Sequence, residues 1–246
     1  MNKSRLKKCT VLVLAAALIY GMVSHFFQPS SVSSVLGPAR FAGETVVIDA
    51  GHGGEDGGAV SVSGAVESHI NLAIALRLDT LLGLYGVNSV LLRSSDISLH
   101  DPTASTLREK KVSDLHNRVA AIQALENPTV ISIHQNTYPS ERYHGAQVFY
   151  ANGELSLPLA QLTQTILREM LDPENTRQPT AVAENVYLMN HISCRAILVE
   201  CGFLSNAQED LLLQSPEYQT KLAIALAGAY LSDQQMNREG ETFDAS

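Results

Sequence analysis

Val46-Val47-Ile48-Asp49-Ala50-Gly51-His52-Gly53-Gly54-Glu55-Asp56-Gly57-Gly58-Ala59 is the stretch from which the fold can be read. Its first part is a short apolar run in which β-branched residues cluster without a helical period, the pattern of a buried strand. The glycines that follow let the backbone turn sharply and leave the histidine uncrowded. A buried strand that ends in such a loop can place a ligand or a catalytic group at the edge of a sheet.

From Glu44 onward, strand-like and helix-like segments alternate. Strands are expected at Thr45–Asp49, Val87–Leu92, Thr129–His134, Ala146–Tyr150, Val186–Met189 and Ala196–Glu200. Helices are expected at Glu67–Leu82, Ser113–Leu125, Leu157–Met170 and Pro216–Leu231. Ile70, Ala73, Ile74 and Leu81 share one face of the first helix, and Leu115, Val119 and Ile122 share one face of the second. The alternation predicts a single α/β domain over residues 44–232: a twisted, mostly parallel β-sheet flanked by helices on both faces. The polar, irregular stretch Ser94–Lys111 is long for a plain connection and is expected to border a substrate groove.

The ends of the chain differ from this middle. Met1 to Lys8 carries Lys3, Arg5, Lys7 and Lys8 and no acid, and residues 9–27 are mostly apolar. A basic head before an apolar run describes a signal peptide or an uncleaved signal-anchor helix over 1–27, and either places the domain outside the cytoplasm. Residues 28–43, rich in Ser, Pro and Gly, read as a linker, and 233–246 as a flexible polar tail. The membrane is thus an expected partner through the N-terminal segment. Nucleic acid is not, because the formal net charge is -8 and the acidic excess is larger still outside the basic head. Cys194 and Cys201 flank an apolar run whose extended length holds them too far apart to bridge. Both read as small buried residues, and no cysteine pair has zinc-finger spacing.

Three apolar runs end in a residue able to bind metal or move protons. The first leads to His52, Val130–Ile133 leads to His134, and Ala196–Val199 leads to Glu200. In an open parallel sheet the carboxyl ends of strands share one edge, so residues distant in sequence can meet there. Glu67 opens the first expected helix above that edge. Two histidines and a carboxylate match the donor set of a catalytic zinc site, with Glu200 left over as a proton acceptor. Taken singly, each has a plainer explanation. A lone strand-end histidine is more often a hydrogen-bonded structural residue, and an acid in a first helical turn often complements the helix dipole.

The combination Asp49-x-Gly51-His52-Gly53-Gly54, Glu67, Ser132-Ile133-His134-x-Asn136 and Val199-Glu200-x-Gly202-Phe203-Leu204-Ser205-Asn206 resembles the zinc-dependent N-acetylmuramoyl-L-alanine amidases of the type 3 amidase family. Within that family, Ser132–Asn136 followed by Gly145-Ala146-Gln147 looks most like the germination-specific, spore-cortex amidases. The resemblance spans roughly residues 44 to 232. It implies Zn2+ held by His52, Glu67 and His134, Glu200 as catalytic acid-base, and peptidoglycan as substrate, cleaved between N-acetylmuramic acid and L-alanine. It also implies a role in cell-wall turnover or spore-cortex modification, in the cell wall or the forespore intermembrane space, with an accessory activator protein as a candidate partner. Asp49 and Asn136 are expected either to orient ligands or to be structural. The family pattern is broken at Ala50 and at Ser193-Cys194-Arg195, and Arg195 is expected to shape the groove rim.

Two other readings compete. His52-Gly53-Gly54-Glu55 has the spacing of a zinc carboxypeptidase-like peptidase, in which Glu55 would replace Glu67. A non-catalytic cell-wall binding protein would need no intact site at all. His69, His100, His116, His144 and His191 are expected at the surface, and Asp56 is expected to be a turn residue.

Overall fold

The computed structural model describes residues 44–244, with side chains to residue 237. The basic head, apolar segment and linker expected over 1–43 lie outside the described residues.

Six strands form one sheet in the order β2-β1-β3-β6-β4-β5. They are β1 (Thr45–Ala50), β2 (Asn88–Leu91), β3 (Thr129–Asn136), β4 (Gln147–Tyr150), β5 (Thr180–Ala181) and β6 (Arg195–Phe203). β1, β2, β3 and β6 run parallel. β4 pairs antiparallel with β6, and the two-residue β5 closes that border parallel to β4. β1, β3 and β6 are buried along most of their length because helices cover both faces, so they read as continuous apolar runs rather than alternating ones.

One face carries Val46, Ile48 and Ala50 of β1, Ile131 and Ile133 of β3, and Ile197, Val199 and Cys201 of β6. It packs on α1 (Glu67–Leu84), α3 (Leu157–Leu171) and α6 (Pro216–Asp244). The other face carries Val47, Val130, Ala196 and Leu198. It is covered by α2 (Leu107–Gln123), which contributes Val119 and Ile122, and by the short α4 (Tyr187–Asn190), which contributes Leu188 and Met189. The period-two alternation of the strands thus assigns each odd and even position to a core.

The structure departs from the sequence expectations at several elements. Val186–Met189 is not a strand. Tyr187–Asn190 is one helical turn, in which Leu188 and Met189 are buried side by side and the Asn190 side chain donates to the carbonyls of Ala183 and Val186. α2 begins at Leu107 rather than Ser113, because Thr106 and Glu109 form a reciprocal capping box. α5 (Ala207–Gln214) was not expected, although Asn206 caps it by accepting from the amides of Gln208 and Glu209 at 3.0 and 3.1 Å. The stretch expected as a polar tail is instead helical, since α6 continues to Asp244. Asp233 and Gln234 on it are buried, and Arg195 pairs with Asp233 at 2.6 Å. That pair also corrects the expectation for Arg195, which opens β6 about 16 Å along the strand from Glu200 and so lies away from the edge that carries the site. Cys201 is buried, Cys194 is half-buried, and both are free.

Candidate metal centre and its buried acid

β1 delivers His52 to the carboxyl edge of the sheet, β3 delivers His134 beside it, and the first turn of α1 hangs Glu67 over both. His52 Nε2 lies 3.5 Å and His134 Nδ1 3.1 Å from the same oxygen, Glu67 Oε1. One donor atom from each of the three residues falls within 4.8 Å of the others. Two imidazole nitrogens and a carboxylate oxygen converging in this way could hold a metal ion, and their chemistry fits a borderline cation such as zinc. Both imidazoles are 20% exposed, so the cluster is open to a substrate on one side.

Glycines make the cluster sterically feasible. A Cβ at Gly51 would overlap the His134 ring. A Cβ at Gly58 would run into Glu67 Oε2 and the His52 ring, and its φ of +73° is one that side chains rarely adopt. His52 itself has a φ of 62°, a conformation that costs an L residue roughly 1–2 kcal/mol. Two buried guanidiniums hold this strained turn in place. Arg93 donates to the carbonyls of Ala50, Gly51 and Ser68, at 2.8, 3.1 and 2.8 Å. Arg118 donates to the carbonyls of Ala50 and His52, at 3.1 and 2.8 Å.

The three donors are oriented from behind. Asp56 Oδ2 accepts from His52 Nδ1 at 3.0 Å, leaving Nε2 to face Glu67. Glu67 Oε1 accepts from Asn71 Nδ2 and from the Gln135 amide, and its Oε2 accepts from the Ala59 amide at 2.8 Å. Burial opposes ionisation of Glu67, but the His134 hydrogen bond and the charges of His134 and His52 outweigh it, and its carboxyl is pulled down to about 2. It is therefore an anionic donor at neutral pH.

Glu200 behaves in the opposite way. It is the register partner of His134 across β3 and β6, so the two side chains leave the sheet on the same face. Burial pushes its carboxyl up to about 7, with the charge of Glu67 adding to the rise and those of His134 and His52 opposing it. Its Oε2 is buried and meets no hydrogen-bond partner among the described residues. An unpartnered buried carboxylate is costly as a structural element, but it is suited to taking and returning a proton near neutrality.

The remaining candidates separate cleanly. Glu55 is exposed, pairs with Lys110 of α2, and takes no part in the cluster. Asp49 touches none of the three donors. It is buried against Arg118 at 2.5 Å and Ser132 at 2.6 Å, fixing the strand beneath the site. The backbone carbonyl of Asn136 accepts from the Leu204 amide at 2.8 Å. His69, His116, His144 and His191 are exposed, while His100 is partly buried against Ser98. The irregular loop packs on the glycine loop, where Asp96 accepts from the Gly54 amide. Sequence reasoning missed Asn71, Arg93 and Arg118, and took Asp56 for a turn residue only.

Among the described residues, no helix is long and apolar enough to cross a membrane. A family model described as N-acetylmuramoyl-L-alanine amidase matches residues 46–231. A germination-specific N-acetylmuramoyl-L-alanine amidase of Bacillus subtilis is 36% identical over 189 residues, which is 75% of this chain and 77% of that protein. The CwlD amidase of Clostridioides difficile, solved in complex with the GerS lipoprotein, superposes with a TM-score of 0.74 at 35% identity, covering 78% of this chain and 98% of that one. The catalytic domain of the amidase CwlV from Bacillus (Paenibacillus) polymyxa var. colistinus gives a TM-score of 0.64 at 28% identity, covering 78% and 98%.

Proposed function

Because the chain belongs to the N-acetylmuramoyl-L-alanine amidase family, whose members cleave the amide between N-acetylmuramic acid and L-alanine in peptidoglycan, we propose that His52, Glu67 and His134 hold a zinc ion for that reaction and that Glu200 carries its proton. The observation that supports the proton role most directly is the buried, unpartnered Oε2 of Glu200, on a carboxyl raised to about 7.

Bound zinc supplies a Lewis acid that polarises the scissile carbonyl and makes water acidic enough to lose a proton near neutrality. Glu200 accepts the proton of the water that attacks the lactyl carbonyl. It then delivers that proton to the alanine nitrogen, which as a bare amide anion would be a poor leaving group. Asp56 keeps His52 in the orientation that turns Nε2 inward, and Asn71 with the Gln135 amide does the same for Glu67.

Glu200→Gln removes the proton carrier while leaving the three donors intact. It should keep bound zinc, measured by metal analysis, and lose turnover of a muramoyl-peptide by about 10²–10⁴-fold. Near-wild-type hydrolysis by this variant would remove Glu200 from the role. In the carboxypeptidase-like arrangement Glu55 would be the ligand, so Glu67→Ala, and not Glu55→Ala, should release the metal.

The likeness to the germination-specific enzyme of Bacillus subtilis supports spore cortex as the wall substrate and an extracytoplasmic location. The basic and apolar N-terminal segment would serve as a signal or membrane anchor. The lipoprotein-bound relative supports an accessory protein as a partner. Mass spectrometry of muropeptides released from vegetative and cortex walls, with and without added zinc, separates general wall turnover from cortex modification.

A further inference from the structure

The residues along the carboxyl edge of the sheet continue past Glu200. Across β6 and β4, Glu200 is the antiparallel register partner of Gln147, and directly opposed residues project to the same face. His134, Glu200 and Gln147 therefore form one row on neighbouring strands. The next group in that row is Arg177, whose Nη1 donates to Gln147 Oε1 at 3.2 Å.

Arg177 is held by more contacts than a surface arginine needs. Its Nε donates to the His144 carbonyl at 3.2 Å. Its amide donates to the side chain of the buried Asn175, and its carbonyl accepts from Arg168. The guanidinium carbon lies 4.8 Å from the centroid of the Phe203 ring, itself buried. Every acceptor it meets is neutral: its bonds go to the Asn175 and Gln147 side-chain oxygens and the His144 carbonyl, through its amide, Nη1 and Nε. A half-buried, fixed guanidinium whose acceptors are neutral is the complement of a carboxylate in a ligand.

We propose that Arg177, stacked on Phe203, is a specificity subsite for a carboxylate on the stem peptide, one residue beyond the alanine whose nitrogen is released. The proposal rests on the amidase reading with Glu200 as proton carrier. Glu200 must sit under the departing nitrogen, so the peptide side of the substrate passes over Glu200 and away from His52 and His134. The next strand in that direction, about 5 Å on, is β4. Two extended peptide residues span about 7 Å, which brings an acidic second residue to the guanidinium. The same edge holds Asp56, Glu67 and Glu200, in a chain of net charge -8. Among these, Asp56 is already paired with Lys111, so Arg177 is the cation left to meet a carboxylate of the peptide.

The test compares two substrates on the zinc-loaded full chain. One is muramoyl-L-alanyl-D-isoglutamate, with a free α-carboxylate. The other is its carboxamide counterpart. The wild type should prefer the acid about tenfold in kcat/KM, mainly through a lower KM, as expected for one hydrogen-bonded charge pair. Arg177→Gln should abolish that preference, and Arg177→Lys should restore part of it. A variant that merely folds poorly loses turnover of both substrates and keeps the ratio. An unchanged ratio in Arg177→Gln, or no preference in the wild type, overturns the subsite while leaving the amidase reading intact. Failure of the wild type to cleave either substrate overturns both.

Discussion

Asp56 decides which nitrogen of His52 faces inward. The hydrogen bond from His52 holds its carboxyl below the ordinary carboxylate range against the opposing effect of burial, and Lys111 adds to that lowering. It therefore stays ionised whenever the imidazole can serve as a ligand. Asp56→Ala should weaken zinc binding about 10–100-fold, as loss of a ligand-orienting carboxylate commonly does. Competition with a calibrated chelator measures this, and an affinity within twofold of wild type would contradict the orienting role. At this scale, polar residues at strand ends and at a helix start made the meeting of His52, Glu67, His134 and Glu200 a candidate, and the resemblance to the amidase family singled out the set of four. Asp56 was not legible, since an acid among glycines reads as a turn former. Arg93 and Arg118 left no pattern at all. They are buried by bonding to backbone carbonyls, and carbonyls carry no sequence.

At the scale of elements, α2 connects its own cap to the glycine loop. Thr106 and Glu109 satisfy each other's backbone amides, and the turn that follows sends Lys110 to Glu55 and Lys111 to Asp56. Thr106→Ala should cost about 1 kcal/mol of stability, measured as a shift of the urea midpoint with unchanged slope. No shift would show that tertiary packing alone holds this helix end. The Thr-x-x-Glu pattern was present in the sequence, as was Asn206-x-x-Glu209 before α5. Neither pattern marks a helix start by itself, because Ser, Thr and Asn followed by an acid are as common in turns. The short run Val186–Met189 was a different difficulty. Four apolar residues fit a strand or a helical turn equally well, and only the pocket waiting for Leu188 and Met189 decides.

Among the described residues, the whole domain is pinned through one buried arginine and the two carboxylates it pairs with. Arg118 of α2 bridges Asp114 on its own helix to Asp49 on β1, joining a covering helix to the centre of the sheet. Burial alone would raise Asp49. The charges of Arg118 and His134 and the hydrogen bonds from Ser132 and Arg118 reverse that and hold its carboxyl below the ordinary value. A carboxylate depressed on folding contributes stability that is complete above its unfolded value, about 3.9, and is lost as pH falls through the lower folded value. Stability should therefore decline steeply below about pH 4. Asp49→Asn should lose about 3 kcal/mol at neutral pH, by leaving Arg118 short of a partner, and should flatten the acid limb. Urea midpoints from pH 2 to 7 give both. The layered architecture behind this pair was readable from the alternation of segments. The helical continuation through Asp233 was not, because a polar stretch anchored by a distant arginine looks the same as a solvated tail.

The two borders of the sheet have a consequence for behaviour in concentrated solution. β2 offers four residues and β5 only two. Pro179 stands directly before β5 and has no N–H to donate. An extended segment from a neighbouring molecule finds almost no ladder on which to grow. Crowded against an insoluble polymer, the domain should not seed cross-β fibres through its sheet borders.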